Sequence, residues 1–574
     1  MMALLTFAAH AQSDDPGARK IQASDTGTLH VSIVDQASGE VVPAMICLTS
    51  LADNTWRQPP DGRTPAPYVT NKLGFIPGRL KSIDYVAGDK KPWHSGDPGP
   101  AVLTTGNFKE DPKVWYAFRR PMPYWHEPAA YFVTQPFDIE LPPGKWRLAV
   151  QRGVEYLPFR EEFTIASGQK LERKVSMGRW VDMPKQGWYS GDPHTHFWRV
   201  DPSQDEFVLN WAQAMDCHMT IASSYGSLKG GVGCEQARYG KESRVQRGDY
   251  WIESAAEDPR EDIIGQGHVV QLNIQHMVRD LAKYHLYDYV FDEVHQQGGL
   301  VGYTHVAWAP AQAPQDHLDL NPEMVVWDAS INIIRGKVDF LDIMEAAHLG
   351  TEHFYDFLNM GVKLTAMAES DFPPASVGEE RTYAYTGPGA FNPDTWYAAV
   401  KQGHTVVTNG PMLLLTVDSA MPGDEVKVHQ NATVHVHAET WAPEVIGAPK
   451  LLEIVSHGRV IRSAESRGPN QEKLAVDFDL PADESQWLAA RTLSFNGALA
   501  HTSPVYVILD GASFLDRKTL PALVAKRLQA LEFIEKTIQN PKYAGAHQYG
   551  DQVAQLMTRI ADARARYLEL GKKQ

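Results

Sequence analysis

The sequence contains a His-x-His pair in the segment Gly191-Asp-Pro-His-Thr-His196, directly after an apolar stretch around Trp188 that is typical of a β-strand. Neutral imidazoles are common ligands of catalytic divalent metals. In parallel α/β folds, ligands gather at the carboxyl ends of the strands. The position after a strand therefore makes His194 and His196 candidate metal ligands.

A second His-x-His pair shows that this spacing alone is weak evidence. His435 and His437 alternate with Val434 and Val436 in what the pattern indicates is the middle of a strand. Their imidazoles would simply occupy the polar face of a half-exposed strand. The loop position of the first pair, rather than its spacing, favours chemistry there.

Three further residues border predicted strands and can complete a metal site. His305 ends an apolar segment, Asp371 comes shortly after another, and His268 immediately precedes a third. A catalytic metal needs imidazoles and carboxylates from several strands, with one coordination position open for water. The pattern therefore predicts that these three side chains join His194 and His196.

An acidic segment upstream of His268 offers a carboxylate that can bridge two metals. Its members are Glu253, Glu257, Asp258, Glu261 and Asp262. A bridge takes only one well-placed carboxylate, and we prefer Glu257 while Glu253 and Glu261 remain alternatives. A solvated acidic loop is the structural alternative for the whole segment.

The elements that must position these residues change along the chain. Alternating apolar and polar residues predict a β-sandwich over residues 25–183, and a second one over 412–512. Between them, residues 184–411 alternate short strands with amphipathic helices, which predicts a parallel sheet or barrel. Residues 513–574 carry apolar residues at helical spacing, so we expect a helical appendage that can serve as a homo-oligomer contact.

The bulk composition excludes several classes of protein. The chain has 574 residues and a formal net charge of −16, whereas neutralising nucleic-acid phosphates requires a basic face. It has three cysteines and no Cys-x-x-Cys pair, so neither a disulfide scaffold nor a zinc ribbon is expected. No apolar stretch is long enough to span a bilayer. We expect a multidomain protein with no nucleic-acid partner and no membrane span.

The first residues resemble part of an export signal. They read Met-Met-Ala-Leu-Leu-Thr-Phe-Ala-Ala-His-Ala, an apolar run that ends in an Ala-x-Ala pattern. We therefore expect residues 1–24 to be a signal-peptide remnant and leader, and the protein to be periplasmic or secreted.

Taken in order, the motifs from residue 187 to 411 resemble those of the CehA/McbA-like metallohydrolases, a branch of the PHP (polymerase and histidinol phosphatase) superfamily. The opening motif is Gly187-Trp-Tyr-Ser-Gly-Asp-Pro-His-Thr-His196, and the later ones are Gly-Gln-Gly-His268, Tyr303-Thr-His305, Ser370-Asp371, Arg381-Thr-Tyr383 and Gly403-His-Thr-Val-Val-Thr-Asn-Gly-Pro411. The resemblance implies that residues 184–411 form a distorted β/α barrel, flanked by the two sandwiches. It also implies a multinuclear site of zinc, manganese or iron. The ligands that it implies are His194, His196, His268, His305 and Asp371, with Glu257 as the bridge.

Three departures from the family pattern reduce the expected number of metals. Pro193 stands where the family has Leu, and Ser223-Ser224-Tyr225 replaces a Thr-Asp-His sequence. The family has an Asp-x-His motif at Asp371, but here Asp371 is followed by Phe372-Pro373, so proline stands in place of the histidine. Two ligands of a trinuclear site are absent, so we expect one or two divalent metal ions.

The resemblance implies a metal-dependent hydrolase that cleaves an ester, carbamate or amide bond of a small organic substrate. A bound metal lowers the pKa of its water to about 7. Asp371 is then expected to orient the nucleophile or shuttle its proton, and Arg381 to neutralise an anionic substrate or developing charge. A surface salt bridge is the structural alternative for Arg381.

Two other functions remain open. The first is phosphoester hydrolysis, the commoner chemistry of the superfamily. The second is a non-catalytic carbohydrate-binding protein, for which the aromatic-rich stretch from Trp115 to Tyr131 can provide a platform. It would bind glycan without turnover.

Overall fold

The computed structural model describes residues 26–60, 127, 131–226, 232–261, 266–306, 326–345, 348–372, 375–389, 391–539 and 552–573. Strands account for 42% of these residues and helices for 23%. The predicted leader at residues 1–24 lies outside the described residues, and so does most of the aromatic-rich stretch. Among the described residues, none of the helices has the length and apolar character needed to cross a membrane.

The N-terminal strands form two small sheets. One sheet has the order β5-β1-β8, and the other has the order β3-β2-β6-β7 with β4 paired to β2; the strands are β1 (Gly27–Asp35), β2 (Ala44–Ser50), β3 (Trp56–Arg57), β4 (Tyr131–Val133), β5 (Phe137–Leu141), β6 (Gly144–Gln151), β7 (Phe159–Ile165) and β8 (Lys170–Met177). In β5, buried and exposed residues alternate strictly, because successive side chains point to opposite faces of a strand. Leu29 and Leu148, from the two sheets, belong to the same buried core.

The described residues of the central segment, which carries the candidate site residues, form twelve strands and five α-helices. In chain order they are β9 (Trp188–Thr195), α1 (Pro202–Ala214), β10 (Met219–Gly226), β11 (Val232–Gly233), β12 (Val245–Arg247), β13 (Tyr250–Glu261), β14 (Gly267–Leu272), α2 (Tyr287–Gln296), β15 (Leu300–Thr304), α3 (Ala329–Asn332), β16 (Phe340–Glu345), β17 (His348–Leu349), α4 (Glu352–Asn359), β18 (Thr365–Ala368), β19 (Arg381–Tyr385), α5 (Pro393–Gln402) and β20 (Thr405–Thr408). Short 3-10 turns lie at Pro184–Gln186, Gly240–Ser243 and Leu281–Lys283.

Two helices of the central segment, α1 and α5, begin at a capping box. Helix α1 begins after Asp201, whose carboxylate accepts from Ser203 N, while the side chain of Gln204 accepts from the backbone N–H of Asp201. This reciprocal capping box satisfies amide groups that a helix start leaves unpaired. The cap therefore fixes where the chain turns into α1 after His196.

The predicted central β/α barrel is wrong, because the strands pair in mixed directions. Strand β10 is parallel to β9 and β13, but β14 is antiparallel to both of its neighbours, β13 and β15. Strand β19 is antiparallel to both β9 and β20. The described residues contain seven α-helices and a large curled sheet instead of a helix between every pair of parallel strands. Antiparallel neighbours need no crossover helix, and this explains the excess of strand.

The predicted separate C-terminal β-sandwich also differs from the structure. Strands β20 and β28 pair, so β22, β24, β25, β27, β28 and β29 continue the large curled sheet, while β21, β23 and β26 form a three-stranded sheet. Their bounds are β21 (Met412–Val417), β22 (Glu425–Val428), β23 (Thr433–Trp441), β24 (Pro449–Ser456), β25 (Arg459–Glu465), β26 (Lys473–Pro481), β27 (Gln486–Ser494), β28 (Leu499–Thr502) and β29 (Val505–Leu509).

Two long helices follow these strands, α6 (Leu520–Gln539) and α7 (Gln552–Leu570), with a 3-10 turn at Gly571–Lys573. Their apolar faces pack against the central segment: Leu531 and Ile560 are buried in one core with Leu341 of β16. Tyr567 donates a hydrogen bond to the carbonyl of Ser330 in α3 at 2.8 Å. The apolar stripes of these helices are thus covered within the chain, and the homo-oligomer contact stays a prediction.

Candidate metal centre

The structure brings all six predicted metal-binding side chains into one mostly buried cluster. They come from strand ends and from β13: His194 in β9, His196 directly after it, Glu257 in β13, His268 in β14, His305 directly after β15, and Asp371 shortly after β18. Together with Glu345, these side chains form three groups that can hold a metal ion, and the groups are linked through Glu257 and His305. We name these six residues the metal cluster.

One group of ligand atoms lies around the His-x-His pair. The Nε2 atoms of His194 and His196 are 3.1 Å apart, and Glu257 Oε2 lies 3.7 and 3.3 Å from them. Asp371 Oδ1 lies 3.6 and 3.1 Å from the same two nitrogens. Two ligands that bind one cation at about 2.1 Å are separated by about 3.0 to 3.4 Å. The spacing of these atoms therefore suits a shared cation.

Glu257 belongs to a second group as well. Its Oε1 lies 2.7 Å from Nδ1 of His268 and 3.6 Å from Nε2 of His305. Both carboxylate oxygens are buried, and neither accepts a hydrogen bond of normal geometry from a residue that the structure describes. A buried ionised carboxylate is costly unless it is paired or coordinates a metal. Glu257 thus has the position of a carboxylate shared between two cations.

Partners behind the imidazoles direct their other nitrogens into the cluster. The Nδ1 of His196 donates to the carbonyl oxygen of Ser223 at 3.0 Å, and a carbonyl can only accept. The proton therefore sits on Nδ1, and Nε2 keeps its lone pair. Glu369 Oε1 lies 2.9 Å from Nδ1 of His194, and Glu345 Oε2 lies 2.9 Å from Nδ1 of His305. Such partners orient metal-binding imidazoles and raise their basicity.

The charges in the cluster are strongly coupled. Burial acts to lower the pKa of His194, but the carboxylates of Glu369 and Asp371 outweigh it and raise that pKa well above its ordinary value. Burial also acts to lower the pKa of His305, but the carboxylate of Glu345 raises that pKa well above its ordinary value. Burial acts to raise the pKa of Asp371, yet the imidazoles of His194, His196 and His305 hold it far below its usual range. Protons therefore compete with a cation for these imidazoles.

Two members of the cluster have strained backbones. His305 and Asp371 adopt positive φ angles of 64° and 46°, a left-handed conformation that costs free energy for residues other than glycine. Each follows the end of a strand closely, β15 for His305 and β18 for Asp371. Residues held in this way are concentrated at functional sites.

Asp192 holds the loop that carries Asp371. Its Oδ2 accepts from the hydroxyl of Ser370 at 2.6 Å and from the N–H of Gly378 at 2.7 Å, while Oδ1 accepts from the N–H of Ser370 at 3.1 Å. Burial raises the pKa of Asp192 to about 6, against these hydrogen bonds. This carboxylate therefore joins the His-x-His segment to the Asp371 loop.

Sequence reasoning missed four buried acidic residues around the cluster: Asp192, Asp342, Glu345 and Glu369. Glu345 ends β16 and Glu369 directly follows β18. An acidic residue at the end of an apolar strand was the available signal, since the same signal identified Asp371. Burial and the neighbouring Glu369 and Glu345 raise the pKa of Asp342 well above its ordinary value.

The departures from the family pattern lie against the cluster. The ring of Tyr225 meets the ring of His196 edge-on at a centroid distance of 5.2 Å. Phe372 stacks on Phe197 at 4.7 Å, and its N–H donates to Ser370 Oγ at 3.1 Å. These residues support the cluster without supplying ligands.

Of the two alternatives to Glu257, the structure describes the side chain of Glu253, which does not join the cluster. Glu253 is buried but forms an ion pair with Arg244 at 2.9 Å, and the side chain of Glu261 lies outside the part of the chain that the structure describes. His435 and His437 project from β23 with side chains that are 49% and 38% exposed, paired with Asp479 and Asp477. This second His-x-His pair is therefore a surface feature.

The structure gives Arg381 a different environment from the one predicted. Its guanidinium is fully buried and donates to the carbonyl oxygens of Met215 at 3.1 Å, of Asp216 at 3.3 Å and of Gly378 at 2.8 Å. Its guanidinium is thus held against backbone carbonyls of residues 215, 216 and 378. This arrangement favours a structural role at the Gly378 loop over the catalytic role that we predicted, and it also rules out the surface salt bridge.

Comparisons with known proteins identify no family for this chain. No protein-family model matches it, and no curated protein sequence does. One solved structure, described as the crystal structure of an engineered protein, matches 17% of this chain and 20% of its own length, at 14% identity and a TM-score of 0.13. A likeness at this level carries no argument about fold or function.

Proposed function

We propose that this protein is a metal-dependent hydrolase that cleaves an ester, carbamate or amide bond of a small organic substrate. The observation that carries the proposal is the position of Glu257, whose two oxygens each face a different pair of imidazoles. The resemblance of residues 187–411 to CehA/McbA-like metallohydrolases supports the same activity. The β/α barrel that the resemblance also implied is absent from the described residues.

The ligand atoms fit one or two transition-metal ions. Imidazole nitrogens together with carboxylate oxygens suit zinc, manganese or iron, whereas calcium and magnesium favour sites made of oxygen alone. The buried oxygens of Glu257 are suited to bind a cation. The proton on Nδ1 of His196 leaves the lone pair of its Nε2 for the same purpose. His194, His196, Asp371 and one oxygen of Glu257 would hold one ion, and His268, His305 and the other oxygen a second.

A divalent cation in such a site supplies Lewis acidity and lowers the pKa of water to about 7. The residues of the chain orient the reaction. Asp371 is the most accessible carboxylate of the site, with a side chain 18% exposed against 1% for Glu257 and 0% for Glu369. Asp371 is therefore the carboxylate that an entering substrate would reach first, and in this proposal it orients the attacking water. Glu369 and Ser223 hold the imidazoles in place meanwhile.

A metal analysis and a substrate panel test the proposal. Purified protein should contain zinc, manganese or iron, and it should hydrolyse 4-nitrophenyl acetate or an aryl carbamate in a manner abolished by a chelator and restored by the metal. Turnover of bis-4-nitrophenyl phosphate alone would assign a phosphoesterase instead. Glycan binding without turnover of any substrate would overturn the proposal in favour of a binding protein.

The chain offers a matched control for a variant of the first pair. We expect His194→Ala/His196→Ala to lose bound metal and to reduce kcat/KM by at least about 100-fold, because first-row metals are held by few ligands. His435→Ala/His437→Ala removes the same residues at the same spacing from an exposed strand. Equal losses in the two double variants would contradict the assignment of the first pair.

A further inference from the structure

His268 of the metal cluster directly follows a segment whose backbone is held by buried hydrogen bonds. It is the second residue of β14 and is 5% exposed. The carbonyl of Gly267 accepts from the hydroxyl of Tyr287 at 2.6 Å. The carbonyl of Gln266 accepts from the N–H of Asp328 at 3.2 Å. The two residues before the imidazole therefore have fixed positions.

The backbone at Gly267 is also closely packed. Its φ of 113° lies in the left-handed region that favours glycine, and a Cβ added there would lie 2.8 Å from Cγ1 of Val326. That distance is shorter than a normal contact between two carbon atoms. Because His268 is the next residue, a displacement of Gly267 also displaces the imidazole.

The side chain of Gln266 connects this segment to His285. Its Nε2 donates to the carbonyl of His285 at 2.8 Å, and its Oε1 lies 3.1 Å from Nδ1 of the same residue. Since the amide nitrogen donates in the first contact, the amide oxygen accepts in the second, and the imidazole proton lies on Nδ1. Both residues are fully buried, so loss of either hydrogen bond would leave polar atoms without water.

Gln552 joins His285 to the C-terminal helices. It is the first residue of α7 and is buried, and its Oε1 accepts from the backbone N–H of His285 at 2.9 Å. A buried N–H that loses its acceptor keeps its desolvation penalty, so His285 would shift if this side chain were shortened or made apolar. A hydrogen-bonded path thus runs from Gln552 through His285 to Gln266, two residues before His268.

We propose that Gln552 is a positioning residue for the second metal ion, which His268 shares with His305 and one oxygen of Glu257. By holding the hydrogen-bonded path, Gln552 sets the place of the His268 imidazole, and a first-row cation requires its ligand atoms within about 0.2 Å of the ideal distance. The helical appendage is therefore part of the metal centre. This inference rests on the proposed function, in which a cation lies at each side of Glu257.

A cobalt titration of the metal-free protein tests the inference. Cobalt(II) alone is the probe, because the visible absorption of bound cobalt reports its ligands. The wild type should bind two equivalents. Gln552→Leu has a helix-forming side chain of similar size without the acceptor, so we expect its affinity for the second equivalent to fall at least about tenfold and that for the first by less than about threefold. Excess zinc should restore the kcat/KM that this variant loses.

Two further variants separate positioning from a general loss of stability. Gln552→Glu keeps an oxygen acceptor at a helix start, where a negative charge is favourable, so it should bind the second cobalt ion as the wild type does. Tyr567→Phe removes another buried hydrogen bond of α7, the one to the carbonyl of Ser330. It should lower the stability to urea while leaving both cobalt affinities unchanged. Gln552→Met, with an unbranched side chain of similar length, replaces Gln552→Leu if the latter does not fold.

Several outcomes would overturn the inference. They are a second-ion affinity in Gln552→Leu within about threefold of the wild type, and an equal loss of that affinity in Gln552→Glu or in Tyr567→Phe. A wild type that binds a single equivalent of cobalt would also overturn it, but hydrolysis by that protein would leave the proposed function intact. A wild type that binds no metal and hydrolyses no ester, carbamate or amide would instead remove the proposed function.

Discussion

A single carboxylate decides the chemistry of this site. Glu257 is 1% exposed and lies between two pairs of imidazoles, while Arg260 and His268 hold its pKa well below the ordinary value even though burial acts to raise it. It is therefore ionised wherever the protein is folded near neutral pH. A permanently ionised carboxylate with one oxygen toward each imidazole pair is suited to bind two cations at once.

We expect Glu257→Gln to lower the metal content by about one ion per chain. An amide oxygen can bind one cation, but the amide nitrogen cannot bind the other. The measurement is elemental analysis after dialysis against a weak chelator. Glu253→Gln is the control, because Glu253 lies in the same strand, β13, and pairs with Arg244 outside the cluster. Unchanged metal content in Glu257→Gln would contradict a shared carboxylate.

The strands position the candidate metal ligands mainly at their carboxyl-terminal ends. Each candidate ligand except Glu257 and His268 lies at or closely after the last residue of a strand, and the loop after β18 is tied back to β9 by Asp192. Burial makes those hydrogen bonds strong and their loss expensive, since a buried donor without an acceptor keeps its desolvation penalty. The position of Asp371 thus depends on a carboxylate two residues before His194.

We expect Asp192→Asn to lower the free energy of unfolding by about 2–3 kcal/mol at pH 8 and to weaken metal binding about tenfold. The pH exceeds the pKa of about 6, so the wild-type carboxylate is ionised and accepts all its hydrogen bonds. Urea unfolding and titration against a chelating dye provide the two readouts. Ser370→Ala loses one of these hydrogen bonds and should cost about 1 kcal/mol. Metal affinity in Asp192→Asn equal to that of the wild type would show that the loop does not depend on this tie.

At the scale of the whole molecule, the large sheet joins the site segment to the C-terminal strands. Strand β20 pairs with β28, and Val407 lies opposite His501. The imidazole of His501 is fully buried; its Nδ1 donates to the carbonyl of Thr502 at 2.7 Å and its Nε2 lies 2.7 Å from the hydroxyl of Tyr355 in α4. Burial lowers the pKa of His501 to about 3, although the Thr502 carbonyl opposes the shift.

This junction should lose stability in acid. The unfolded chain binds a proton at His501 near pH 6.5, whereas the folded chain binds it only near pH 3, so the free energy of unfolding falls as the pH drops between these values. We expect the stability difference between the wild type and His501→Gln to narrow by about 1.4 kcal/mol for each pH unit below 6.5. Urea unfolding at pH 7, 6 and 5 measures it, and a constant difference would contradict a buried neutral imidazole.

The sequence by itself determined which side chains to consider, because a His-x-His pair after an apolar segment and a His or Asp at a strand end are local patterns. Strand positions were also local, since side-chain alternation is set by neighbours along the chain. The pairing direction of the strands is not set locally, and the expected β/α barrel was wrong for that reason. Hydrogen bonds between distant segments decide whether β13, β14 and β15 run parallel or antiparallel to their neighbours.

Tertiary structure likewise decided that Glu345 and Glu369 support the imidazoles, that Arg381 faces backbone carbonyls and that Arg260 reaches the cluster. Each of these roles depends on which distant groups a side chain meets once it is buried, and no spacing along the chain encodes that.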